Sequence, residues 1–214
     1  SLRALKNLVL GWAGNLAVRT AIPLQTVLKN AVSQGQRVRI SIPSLYHLQT
    51  IRTLAALQYI VNRFEFDYLL RMSSTCYVDL DELNLFLANR GIRTTYAGDV
   101  YKKRGINFVG GAGILMSRDI VELVIDSGSS LRLDVQEDIA IGELIQRLGL
   151  AIPESAPRVD VRDTPLAAIA SLGLSHNHPF LYRCKVEHPW TNASEPVISL
   201  MLQTHAEITR RRIR

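Results

Sequence analysis

Cysteine is scarce in this chain: Cys76 and Cys184 are the only two in 214 residues. Their wide separation fits neither a zinc knuckle nor a disulfide framework, and two free thiols in a reducing compartment are expected. Aromatic residues make up only 7%. None interleaves with the basic tail Arg210-Arg211-Arg212-Ile213-Arg214, so the cation-plus-stacking surface typical of single-strand nucleic-acid binding is not expected. No apolar run approaches the roughly 18 residues that cross a bilayer. The segment after Lys6 is amphipathic rather than continuously apolar, so a secretory leader is not expected either. The first residue is Ser1, not Met, and an amino end trimmed of an anchor or targeting segment is one alternative. There is no internal repeat and no low-complexity tract.

What is present describes a folded domain. Hydrophobic residues reach 47%, enough for a real core, and the length suits one domain over 1–214. Net charge is +6, which suits an anionic partner such as a nucleotide diphosphate or an acidic lipid surface.

Periodicity sets the order of elements. Leu2, Leu5, Leu8, Val9 and Trp12 recur at helical spacing. Pro23 opens a second helix carrying Leu24, Val27, Leu28 and Ala31, with Gly35 past its end. Arg37 to Ile42 alternates like a half-covered strand. Ser44 caps a helix running to Asn62, with Leu48, Ile51, Leu54 and Ala55 on one side. A buried strand is predicted over 66–72, stopping at Ser73, Ser74 and Thr75. Asp79 or Asp81 caps a helix with Leu83, Phe86 and Leu87 that ends near Gly91. Ile106 to Val109 predicts a short strand that gives way to a glycine turn, Gly110-Gly111-Ala112-Gly113. Ser117 caps a helix with Ile120, Val121 and Val124. Glu137 or Asp138 begins another, with Ile141, Leu144, Ile145 and Leu148 on one face and Gly149 beyond its end. After Pro153 the pattern thins, and 151–214 reads as a loop-rich part completing the site. Alternation of strand and helix makes the class α/β.

Four constellations bear chemistry. In open α/β sheets ligands bind beyond the carboxyl ends of strands, which singles out Ser73, Ser74 and Thr75. The glycine turn offers backbone N–H groups to an anion; an ordinary tight connection is the alternative. Its spacing is not that of a dinucleotide fingerprint, nor does Gly-Lys-Ser or Gly-Lys-Thr follow as in a P-loop. Glu137 and Asp138 either match the dipole of the helix they start or include a general base. His176 and His178 stand two apart as metal ligands do, but no cysteine or carboxylate adjoins them, and a structural role is the alternative. Arg183 and Lys185 alternate with Tyr182 and Cys184, so they share one side of a strand. Two cations there would clamp a diphosphate or form a solvated face.

The order of these pieces resembles the inverting glycosyltransferases that include the beta-1,3-galactosyltransferases and the fringe proteins. Residues 42–53 resemble that family's segment rich in Tyr, Asn, Leu, Thr and Lys. Residues 66–78 resemble its strand ending in three acidic residues. Tyr96-Ala97-Gly98, Val109 to Gly113 and Leu115 to Asp119 resemble its glycine-rich pair of segments, and Glu137-Asp138-Ile139-Ala140-Ile141-Gly142 its "ED" motif. The resemblance covers residues 38–185.

The resemblance implies a GT-A, Rossmann-like central sheet flanked by helices, and a hexosyltransferase of glycan or polysaccharide biosynthesis. The donor would be a UDP-sugar carrying galactose, N-acetylglucosamine or a similar sugar, and the acceptor a glycan or lipid-linked hydroxyl. Asp138 would be the base, with Glu137 beside it. Gly110, Gly111 and Ala112 would border donor and acceptor. The family's acidic triad falls on Ser73, Ser74 and Thr75, and hydroxyls are poor ligands for a hard cation. The expectation is therefore transfer without metal, with manganese or magnesium as the alternative. Arg71, Ser73, Ser74 and Thr75 would bind the donor, and Arg183, Lys185, His176 and His178 would supply the positive charge. A binding module with a transferase fold and no turnover is the other reading. A cytoplasmic location, with peripheral membrane contact through the basic surface, is expected; a Golgi-lumenal enzyme with its anchor removed is the alternative. A first nucleotide-binding strand, if retained, lies within Leu8-Val9-Leu10.

Overall fold

The computed structural model describes residues 32–34, 37–39, 48–89, 93–150, 153–156, 158–161, 179–184 and 194–212, with the backbone alone for 32–34, 37–39, 194–196 and 211–212. The elements run β1 (Val32–Gln34), β2 (Arg37–Arg39), α1 (Gln49–Val61), β3 (Tyr68–Met72), β4 (Cys76–Val78), α2 (Leu80–Ala88), β5 (Tyr96–Lys103), β6 (Ile106–Ser117), α3 (Arg118–Asp126), α4 (Glu137–Leu148), β7 (Glu154–Ser155), β8 (Arg158–Val161), β9 (Leu181–Cys184) and α5 (Ser194–Arg212). The architecture is mixed α/β. The helix expected over Leu2 to Trp12, the start of the helix after Pro23, and Ser44 lie outside the described residues.

Four strands form the central sheet in the order β3-β6-β5-β7, and three form a second in the order β4-β9-β8. In the first, β6 pairs antiparallel with β3 and β5, and β5 pairs parallel with β7. In the second, β9 pairs antiparallel with β4 and parallel with β8. The sheets meet where the chain crosses between them. Ser73 N–H donates to Ala112 O at 2.9 Å, and Cys184 N–H donates to Thr75 O at 2.8 Å.

The central sheet is covered on both faces. Tyr96, Val109, Ile114 and Met116 pack under Leu54 and Leu57 of α1, Ile120, Val121 and Val124 of α3, and Ile141, Leu144 and Ile145 of α4. Burying each such Leu or Ile contributes about 1.5–3 kcal/mol. Ala97 and Leu115 alternate to the opposite face and join Phe180, Leu181 and the α2 residues Leu83, Phe86 and Leu87. A third cluster puts Leu200 and Ile208 of α5 on Val161, Tyr182 and Cys184.

Local signals act as the sequence suggests at several boundaries. Asp79 Oδ1 accepts from the N–H groups of Asp81 and Glu82 at 3.2 and 3.3 Å, capping α2. Glu137 and Asp138 open α4, and Gly149 closes it at φ 65°. Ser117 stands at the cap of α3, but its hydroxyl faces Asp119 and accepts from Thr95 N–H at 2.8 Å.

Three expectations are corrected. The glycine turn is no turn: β6 runs unbroken for 12 residues through Gly110, Gly111 and Gly113, because each lies under a neighbour rather than at a bend. Val32–Gln34, expected to finish a helix, pairs antiparallel with Arg37–Arg39; a glycine after a short run serves a hairpin as readily as a helix end. The stretch after Pro153 is not merely loop-rich. It holds three strands and the 19-residue α5, whose apolar stripe is broken in sequence by the buried polar residues Thr204 and Glu207.

The β5–β6 hairpin turns at Arg104 (φ 52°) and Gly105 (φ 81°), with Lys103 opposite Ile106. Two positive φ angles in a two-residue loop match the twist of the flanking strands. Upstream, a bulge between Gly98 and Val100 takes Asp99 out of the ladder and re-aims its side chain. Among the described residues no helix is long and apolar enough to cross a membrane.

Candidate functional site

A cleft of about 390 Å³ opens where the two sheets meet. Residue β6 Gly113 is the last to pair with β3, so the stretch Gly110-Gly111-Ala112 forms one wall of the cleft. Asp138, Glu137 and Gln136 enter from the start of α4, Ser73 from the end of β3, Arg183 from β9 and Arg158 from β8. Gln49, Tyr101 and Phe108 complete the lining.

Asp138 is held by backbone donors on both oxygens. Gly111 N–H reaches Oδ2 at 2.8 Å, and Ile139 N–H reaches Oδ1 at 2.9 Å. A carboxylate fixed in this way keeps its free lone pairs turned toward the cleft. Gly111 permits the approach: a Cβ there would stand 3.1 Å from Asp138 Oδ2 and 3.4 Å from an Arg71 guanidinium nitrogen.

Glu137 faces inward. Its side chain is 3% exposed and pairs with Arg71, which also donates to Gly111 O. Burial raises the Glu137 carboxyl above its ordinary value; the Arg71 charge and hydrogen bonding from Thr53 oppose that rise without cancelling it. Arg71 is thus a brace behind the cleft wall, tying β3, β6 and α4 together. Its guanidinium is engaged with Glu137, not with the cleft.

The cations differ in their freedom. Arg158 Nε pairs with Asp160 at 2.8 Å, and its NH2 group lies 3.0 Å from Asp99 Oδ2 and 2.9 Å from Tyr101 Oη. Burial pulls its guanidinium pKa down, but Asp160, Tyr101 and Asp99 outweigh that and hold it above the usual arginine value. Arg183 sits opposite Cys76 on β4 and Asp160 on β8. Its buried Nε has no hydrogen-bond partner among the described residues. A buried donor left unpaired is costly, and a cleft-lining arginine of this kind suits an anionic guest.

The hydroxyl cluster is only partly at the cleft. Ser73 lines it, with Ser73 Oγ and Thr75 Oγ1 bonded to each other at 3.0 Å. Ser74 is exposed to solvent and, like Thr75, is not part of the lining. These groups fit a divalent cation poorly: all are neutral hydroxyls, and no cluster of three or more His, Cys, Asp or Glu able to hold a metal occurs among the described residues. Of the nearby carboxylates, Asp138 accepts one backbone N–H on each oxygen and Glu137 pairs with Arg71 through Oε2.

Of the residues singled out from sequence, Asp138, Glu137, Ser73, Gly110, Gly111, Ala112 and Arg183 come together at the cleft. Arg71 stands behind it, and Ser74 and Thr75 lie outside its lining. His176, His178 and Lys185 lie outside the described residues. Sequence reasoning missed Arg158, Tyr101, Phe108, Gln49 and Gln136. The alternation of Arg158-Val159-Asp160-Val161 was a readable strand signal. Nothing in it pointed to Asp99 or Tyr101 as partners. No protein-family model matches the chain, and no curated protein matches it either.

Proposed function

We propose that this chain is an inverting hexosyltransferase of the GT-A type that moves a sugar from a UDP-sugar to a glycan or lipid-linked acceptor without a metal. The observation that carries this reading is Asp138, a carboxylate held on two backbone N–H groups at a cleft that Arg183 also lines. In the proposed step an acceptor hydroxyl oxygen bonds to the anomeric carbon while the bond from that carbon to the phosphate oxygen breaks. The acceptor proton passes to Asp138. UDP leaves with the bonding pair, and Arg183 offsets its charge. Stabilising a leaving anion in this way is a large catalytic term. Ser73 and the cleft-wall backbone would orient the donor. The order of sequence motifs supports the same reading.

A second reading, a nucleotide-sugar or glycan-binding module without turnover, is favoured by the hydroxyls that stand where the resembling family has its acidic triad. A thermal-shift panel of nucleotide sugars with and without manganese, followed by a transfer assay, separates the two. Stabilisation by a UDP-sugar together with metal-insensitive transfer is the expected result. UDP binding without transfer or hydrolysis would establish the module, and absence of any nucleotide binding would sink both.

A further inference from the structure

The cleft carries an aromatic surface that neither the base nor the cations explain. Tyr101 is 42% exposed, yet it is fixed on three sides. Its hydroxyl donates to Asp99 Oδ2 at 2.6 Å and accepts from Arg158 at 2.9 Å. Its ring stacks on Phe108 with centroids 5.9 Å apart and planes 29° from parallel. It also lies on Gly110, where a Cβ would meet ring carbon Cε2 at 2.6 Å. The bulge that frees Asp99 supplies one of these anchors. An exposed tyrosine is ordinarily free to move; this one is held in place at the wall of a cleft.

We infer that Tyr101 is the stacking wall of an acceptor-saccharide subsite, taking the apolar face of a pyranose ring. The inference rests on the transferase reading above. Gly110 supports the ring and Gly111 binds Asp138. Successive strand residues face opposite sides of a sheet, so Tyr101 on Gly110 and Asp138 on Gly111 approach β6 from different sides, and both line the one cleft. A pyranose against Tyr101 would lie in the same cleft as the carboxylate that would deprotonate one of its hydroxyls. The amides of Gln49 and Gln136, also lining the cleft, offer both donors and acceptors to the remaining hydroxyls. An apolar aromatic face with a few convergent neutral polar groups is how small-molecule sites fix orientation. Arg183, whose Nε has no hydrogen-bond partner among the described residues, comes from the other sheet and would serve the phosphates.

The test is ligand-observed saturation-transfer NMR with methyl β-galactoside and methyl β-N-acetylglucosaminide, in the presence of UDP, alongside UDP calorimetry. Wild type is expected to bind at least one glycoside, with transfer strongest to the hydrogens of one ring face. Tyr101→Ala should weaken that binding at least tenfold and change UDP affinity less than twofold. Gly110→Ala, which keeps the tyrosine but displaces its ring, should weaken glycoside binding in the same direction, and thermal melts establish that each variant is folded. Glycoside binding unchanged in folded Tyr101→Ala overturns the subsite, as does no glycoside binding by wild type. A fall in UDP affinity instead assigns the ring to the nucleobase and also overturns it. Failure of wild type to bind UDP at all is a separate outcome, which counts against the transferase reading.

Discussion

Gly111 donates its backbone N–H to Asp138 Oδ2 at 2.8 Å, and the space where its side chain would be is filled by that same carboxylate. The glycine is needed for proximity, since its backbone is ordinary strand. Gly111→Ala is expected to push Asp138 out of line while leaving the strand intact. The carboxylate would have to give by a few tenths of an ångström, and a misplacement of about 1 Å costs about 100-fold in rate. Transfer should fall by less than that, with a small change in Tm; full activity would remove Asp138 from the chemistry.

Asp138→Asn keeps the shape and one acceptor oxygen for Gly111 N–H but cannot take a proton. Its NH2 group would face Ile139 N–H, so Tm is expected to fall modestly while UDP affinity stays near wild type and transfer is lost. Calorimetry and a coupled UDP-release assay on the same preparation check both halves, and an active variant would refute the base assignment.

Arg71 and Glu137 are unequal partners. The Arg71 side chain is 20% exposed and that of Glu137 is 3% exposed. Arg71→Met leaves a buried carboxylate without its cation, and near neutral pH this should cost about 3–5 kcal/mol. Glu137→Gln leaves a cation with some access to water and should cost less. Denaturant titration of the two variants gives the ordering.

The same pair predicts a pH trend. Burial, set against the Arg71 charge, holds the Glu137 carboxyl above its ordinary 4.5 in the fold. The folded chain therefore binds the proton more readily than the unfolded chain. Its contribution is complete below about pH 4.5 and is lost as pH rises through the raised folded value. Relative to Glu137→Gln, wild type should lose Tm as pH rises above about 4.5 through the raised folded value. A difference that grows in favour of wild type over that range would reverse the sign.

Arg183 has a buried Nε without a hydrogen-bond partner among the described residues, whereas Arg158 is already paired with Asp160 and Asp99. Hydrogen bonds to charged groups contribute about 1.5–3 kcal/mol, so Arg183→Met should weaken UDP binding roughly 10- to 100-fold. Arg158→Met should act mainly on stability, because it strands two carboxylates. Calorimetry and thermal melts on both variants distinguish an affinity role from a structural one.

Local signals carried much of the fold. The cap at Asp79, the carboxylate start of α4 and the Gly149 stop are each written at the helix end they set and were legible. The segment 110–113 was legible as close approach to something, but the strand continuing through it was not. What made it a strand is the Tyr101 ring, the Asp138 carboxylate and the Leu181 side chain lying over its glycines, all distant in sequence. Arg158 was invisible for the same reason: its meaning depends on a bulge at Asp99 and on a parallel pairing of β8 with β9. The helix α5 was hidden because it buries Thr204 on the face where a periodicity argument looks for an aliphatic residue.

The two-residue turn at Arg104 and Gly105 sets a count as well as a direction. Lys103 meets Ile106, Lys102 meets Asn107 and Tyr101 meets Phe108. One residue inserted between Lys103 and Arg104, with the tight loop kept, would advance the ladder by a step and bring Lys102 opposite Phe108. An ammonium on a flexible stem would then stand where the phenol ring now does. A tip that touches no ligand thus dictates which kind of molecule the cleft can greet.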